Sequence, residues 1–130
     1  MPSGRTGAMT SRITLRFDLG SQGRIGHGKI ALLEAIGTTG SISAAGREYG
    51  MSYRRAWLLV EEMNGMFDQP VVETRNGGLK GGGAELTARG QHLVRVYRET
   101  EELVAKQARS SLRELERWLA PATDAETPTT

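Results

Sequence analysis

Residues 41–67 read SISAAGREYGMSYRRAWLLVEEMNGMF, two short helical segments meeting at a glycine. Ser41 or Ser43 can cap the first, which runs to Tyr49; Gly50 supplies a turn; Ser52 caps the second, which ends near Phe67. In each cap a serine oxygen accepts from the unpaired N–H groups of the first turn. Ala56, Val60, Met63 and Phe67 follow i, i+4, i+7, i+11 spacing, which makes a core-facing stripe. Trp57 is read as core rather than as a base-stacking group, because large aromatics usually bury. Tyr53, at the start of the helix, fits either role.

Upstream, residues 13–19 alternate. Ile13, Leu15, Phe17 and Leu19 fall on one face and Thr14, Arg16 and Asp18 on the other, the pattern of a half-buried strand. Gly20, Gly23, Gly26 and Gly28 then read as a loop, and residues 28–36 as a first helix, stopped by Gly37 and Gly40. Downstream, Asp68, Gln69 and Pro70 break the helical pattern, and Val71, Val72 and Thr74 look extended. Residues 76–83, NGGLKGGG, hold five glycines in eight and cannot be regular structure; Glu85 and Leu86 resume a strand, so the region is a hairpin with a flexible tip. Thr87 begins a last helix in which Leu93, Val96, Tyr97, Leu103, Val104, Leu112, Leu115 and Leu119 keep helical spacing toward Trp118, before Pro121.

The order strand, three helices, hairpin, long helix describes a mainly α fold with a small β-hairpin wing: a winged helix-turn-helix with a long C-terminal dimerisation helix. The expected organisation is a disordered leader over 1–12, a DNA-binding domain over 13–98, an overlapping dimerisation helix over 87–119, and a disordered polar tail over 120–130.

Composition narrows the function. The chain has 130 residues, enough for one domain, and 38% are hydrophobic. With no cysteine there are no disulfides, zinc ribbons or thiol catalysis. His27 and His92 are too few and too far apart for an obvious metal site, and no catalytic Ser, His and Asp set is apparent. Glu61 and Glu62, neighbours on a helix, cannot face one site together. Without a signal peptide or a bilayer-length apolar run, the expected location is cytoplasmic. The net charge is only +2, but residues 1–30 carry five basic groups against Asp18, whereas residues 99–130 carry four basic against seven acidic. A basic N-terminal part suits a polyanion.

The third helix is polarised for that partner. Its first turn holds Ser52, Tyr53, Arg54 and Arg55; Glu61, Glu62 and Asp68 lie at its far end. Two arginines at a helix N-terminus oppose the helix dipole and so call for a reason. Double-stranded DNA provides one, since an arginine can fork onto guanine O6 and N7 in the major groove. The wing carries Arg75 and Lys80 beside its glycines, where a flexible basic loop suits phosphates. A phosphate-cradling loop of the GxxxxGK[ST] type is not spelled out there.

The stretches TGSISAAGREYGMSYRRAWLLVEEMN and VVETRNGGLKGGGAELTARGQHLVRVY closely resemble the DNA-binding domain of the molybdate-responsive regulators (the ModE family), and more loosely that of LysR-type regulators. The match rests on G-S-I-S, G-M-S-Y, A-W, E-M-N, the glycine-rich wing tip and L-T-x-x-G, from residue 24 to about 98. It implies a dimeric winged helix whose DNA contacts fall on Ser52, Tyr53, Arg54 and Arg55, assisted by Ser41, Ser43 and the wing. Full-length members carry C-terminal modules that bind molybdate. Here a helix and a polar tail follow the wing, so the resemblance is to a stand-alone form. No cofactor is expected, and molybdate is not expected to bind this chain alone; effector sensing by a separate protein is left open.

A helix from Thr87 to Leu119 would be ~50 Å long, against a radius of gyration of ~13 Å for a compact domain of about 100 residues. It is expected to project and to cover Leu103, Val104, Leu112, Leu115, Trp118 and Leu119 with the same helix of a second copy. The competing readings are a protein-interaction module, which would not need the Arg54–Arg55 pair and a basic wing, and a small enzyme or oxyanion sensor.

Overall fold

Between Leu19 and His27 the chain pairs with itself instead of looping. In this computed structural model, which describes residues 11–75 and 83–121, β2 (Gly23–Gly26) runs antiparallel to β1 (Arg16–Leu19), with Phe17 opposite Ile25 and Asp18 opposite Arg24. The glycines conceal a strand that alternates inside and outside around a fully buried Ile25. The expected apolar face of residues 13–19 is buried only in its middle: Leu15 and Phe17 pack on the core, whereas Ile13 and Leu19 are exposed. Leu19 leads directly into the turn at Gly20, beyond the reach of the core.

Three helices follow: α1 (His27–Thr39), α2 (Ile42–Glu48) and α3 (Tyr53–Met66). Helix α1 runs through Gly37, which was expected to stop it; an isolated glycine costs a helix only about 1 kcal/mol. It ends at Gly40, whose left-handed φ of 74° turns the chain and whose N–H bonds back to Ile36. Ile30, Leu32, Leu33 and Ile36 are fully buried, so α1 is the central helix of the core. Ser41 and Ser52 cap α2 and α3 as expected, accepting from Ala44 N at 3.0 Å and Arg55 N at 3.1 Å. The turn between them needs Gly50 at a φ of 68°. The two helices cross closely, since a Cβ on Gly46 would lie 3.0 Å from that of Ala56.

The second hairpin pairs β3 (Val72–Arg75) with β4 (Gly83–Leu86), so Gly83 belongs to a strand and not to the tip. Residues 76–82, with Lys80, lie outside the described residues. Ala84 N donates to Gly40 O at 2.9 Å and anchors the wing beside the end of α1. Helix α4 (Ala88–Trp118) starts where Thr87 Oγ1 accepts from Gly90 N at 3.0 Å and donates to Pro70 O at 2.7 Å. The fold is mainly α, with a small β wing and a long C-terminal helix.

Thr14–Glu101 forms one compact unit. Its core joins α1, α3 and the hairpins to Tyr97 of α4, whose hydroxyl donates to Leu15 O at 2.7 Å and whose ring meets Phe17 edge-on. Burial pushes the Tyr97 hydroxyl above its usual pKa, with Glu101 adding to the effect. A second unit has residues 11–13 and 102–121 described. Within it Val104 and Leu112 are half-buried, while Leu103, Leu115, Trp118 and Leu119 are exposed. At 100° per residue, Val104, Leu112, Leu115 and Leu119 fall within an arc of about 80°, and Leu103 lies about 100° outside it. Leu103 therefore does not share the stripe on which it was expected. The expected leader (1–12) and tail (120–130) lie almost wholly outside the described residues.

Candidate nucleic-acid interface

Helix α3 is held to the core by Ala56, Val60 and Met63, all buried, with Phe67 half-buried behind them. The opposite face is therefore turned to solvent, and Arg54 and Leu58 lie along it one turn apart. Trp57 is exposed to 39% and is not core; one residue past Ala56, it has rotated by about 100° out of the buried stripe. Leu58, exposed to 47%, sits at the centre of the solvent face and was not singled out from sequence, where one leucine in a helix looks like packing.

The two flanks of α3 differ. On the wing side, Ser41, Ser43, Tyr53, Thr74 and Arg75 border one depression with Gly83 and Ala84, so the start of α2, the start of α3 and the root of the wing converge. Tyr53 is exposed to 56%. The Ser43 hydroxyl accepts from Arg47 at 3.0 Å. Arg75 is paired with Glu85 at 3.3 Å, which offsets part of the wing's positive charge. Arg55 lies apart from this group, in a groove on the other flank with Arg16, Arg24 and Lys29. Ser41, Ser43, Tyr53 and Arg75 are thus brought together, Ser52 is the cap beside them, Arg54 stands outward, and Arg55 faces away. The sequence hid Arg24 and Lys29 because the strand that presents Arg24 was read as a loop.

Toward the far end of α3, Glu62 is held by Lys29 at 2.8 Å. Glu61 stays exposed about 10 Å along the axis from Arg54. The positive charge of α3 therefore lies at its N-terminal turn and its acidic groups beyond it.

Among the described residues no group of three or more His, Asp or Glu is placed to hold a metal ion, and no helix is long and apolar enough to cross a membrane. No Asp, Glu, His, Lys or Arg residue is buried among them, and the hydroxyl of the buried Tyr97 is engaged by Leu15 O.

No family model matches the chain. It is similar to the molybdenum-pterin-binding protein MopB of Rhodobacter capsulatus, 52% identical over 83 residues, which is 64% of this chain and 31% of the relative. It is similar to the DNA-binding transcriptional dual regulator ModE of Escherichia coli K12, 44% identical over 69 residues, 53% of this chain and 26% of that one. With the molybdenum transport protein ModE of Azotobacter vinelandii it shares 37% identity over 91 residues, 70% of this chain and 33% of the relative. The chain thus spans about a quarter to a third of the length of these relatives.

Proposed function

We propose, on the premise that this chain is ModE-like over more than half of its length, that it is a transcription regulator binding double-stranded DNA in a sequence-specific manner. On this reading it is not an enzyme, and it acts as a homodimer on an inverted-repeat operator. The observation that carries the reading is the placement of Arg54: exposed at the first turn of α3, with basic groups on both flanks and the acidic groups of the helix held toward its other end.

In this mechanism α3 enters the major groove by its N-terminal turn. Arg54 forks onto a guanine, and Leu58 meets base edges such as a thymine methyl. Tyr53, Ser41, Ser43 and Arg75 lie against one sugar–phosphate strand, with the wing following it. Phosphate contacts fix the register and the base contact selects the site. The homodimer, through α4, would present two such helices to successive major grooves, which calls for half-sites about 10 base pairs apart or a multiple of that.

The exposed Trp57 and Leu58 favour one other reading, a surface that docks a protein. Gel-shift titration decides between them, using duplexes selected from a random library by the chain itself. Arg54→Ala should lose about 1–3 kcal/mol on the selected duplex and much less on unselected DNA. An unchanged affinity would remove Arg54 from base recognition, and failure to select any duplex would favour the protein-docking reading.

A further inference from the structure

The flank of α3 that faces away from the wing carries its own basic surface. Arg16 on β1, Arg24 on β2, Lys29 on α1 and Arg55 on α3 line a single open groove over Met51 and Leu59. Four cations in one groove repel one another unless anions intervene. Two of them are answered within the chain: Arg16 Nε lies 2.8 Å from Asp18, and Lys29 Nζ lies 2.8 Å from Glu62 while also donating to Arg24 O at 2.7 Å. Asp18 stands opposite Arg24 in the β1–β2 ladder, yet its carboxylate is engaged by Arg16. Arg24 and Arg55 make no ion pair among the described residues, so four cations against two carboxylates leave an excess of two positive charges.

We infer that this groove is a second backbone-binding surface, in which Arg24 and Arg55 contact phosphates of the duplex. The inference rests on the DNA-binding reading above and deepens it. A helix about 10–12 Å across fills a major groove about 12 Å wide, so each of its flanks faces one of the two phosphate strands. The wing side of α3 meets one strand, and the β1–β2 hairpin side meets the other. Successive residues on a helix are 100° apart. Arg54 and Arg55 therefore cannot both aim at base edges: Arg54 points outward and Arg55 turns into the hairpin groove. Gly26 and Gly28 border the groove, and a Cβ at Gly28 would meet nothing within 4 Å, so a bulky backbone can approach. The groove is open along its length and borders four elements. A row of phosphates gains by releasing condensed counterions.

The test is fluorescence anisotropy of the full chain with a labelled mixed-sequence duplex and with the selected duplex, across a series of potassium chloride concentrations. Arg24→Ala and Arg55→Ala should each reduce the steepness of log K against log salt by about 0.9 and weaken both duplexes by the same factor. Arg55→Lys should keep the slope and the preference for the selected duplex, because a phosphate contact needs charge but not a planar fork. Circular dichroism checks that each variant is folded. Unchanged slopes in both alanine variants, with wild type binding normally, would overturn the inference and leave the DNA-binding reading standing. Loss of preference in Arg55→Lys would overturn it by making Arg55 a base-reading residue. Inorganic phosphate at matched ionic strength that displaces the duplex from wild type but not from Arg24→Ala would replace it with a small-oxyanion site. A wild type that binds no duplex sinks the DNA-binding reading, and this inference with it.

Discussion

Asn64 joins α3 to the wing. Its Oδ1 accepts from Val71 N at 2.8 Å and Val72 N at 3.1 Å, and its Nδ2 donates to Val72 O at 3.1 Å. One amide side chain thus satisfies three backbone groups where the chain changes from helix to strand, groups that would otherwise be costly to leave unpaired. Asn64→Ala should cost about 2–3 kcal/mol in urea unfolding, because only part of the site can recruit water. A loss below about 0.5 kcal/mol would show that the wing root holds without it. At the same scale Arg54 and Arg55 separate. Adjacent in sequence, they lie on different sides of one helix, so their substitution should affect specificity and salt dependence respectively.

Between elements, α1 and α4 are joined by Arg98. Its Nε and Nη2 donate to the two carboxylate oxygens of Glu34 at 2.9 and 2.7 Å, and its Nη1 donates to Glu101 at 2.7 Å. The guanidinium also lies over the Tyr97 ring, 5.6 Å from its centre. The hydrogen bonds from Arg98 hold the Glu34 carboxyl below its ordinary value of 4.5, against the opposing effect of burial. A carboxyl depressed in the folded state binds protons more readily when unfolded. Its contribution to stability is therefore present above pH 4.5 and is lost as pH falls through the lower folded value. Both partners are partly exposed, so solvent screening keeps the effect modest. Unfolding measured as a function of pH should show Glu34→Gln losing stability at neutral pH and declining less steeply than wild type on the acid side of 4.5. Parallel curves would mean that the pair does not couple to folding.

At the scale of the whole molecule, the distal part of α4 presents Leu115 and Leu119 to solvent on the same stripe as Val104 and Leu112. Exposed apolar surface forfeits about 25 cal/mol per Å², and a two-fold copy of the same helix would recover it. Sedimentation analysis should find a dimer. Leu112→Asp and Leu115→Asp should convert it to monomer and abolish tight operator binding, whereas Leu103→Asp, off the stripe, should leave association intact. A wild-type monomer at roughly tens of micromolar with α4 still helical would rule out the dimer. Relatives named for molybdenum are matched over only 31% and 33% of their length. Calorimetry on this chain with molybdate should show no binding at micromolar concentrations; micromolar or tighter affinity would locate an anion site that the present reading lacks.

Much of this architecture follows from local chemistry. Ser41 and Ser52 are caps because a serine oxygen at that position satisfies orphan N–H groups whatever surrounds it. Gly50 is a turn because its φ is positive, and Ala56, Val60 and Met63 form a stripe because a helix repeats every 3.6 residues. These features were legible in the sequence, as was the wing around its glycines. Other features were decided by tertiary structure. Whether Gly23–Gly26 is loop or strand depends on pairing with β1 and on burying Ile25, and neither leaves a periodic trace in a glycine-rich segment. Trp57 lies about 100° from the Ala56 stripe, and whether a neighbouring element covers that face is set by packing; none buries it, and it is exposed. The meeting of Arg55 with Arg16, Arg24 and Lys29 arises from four elements packing on one core. Sequence spacing records neighbours within an element, and only packing sets which elements share a surface.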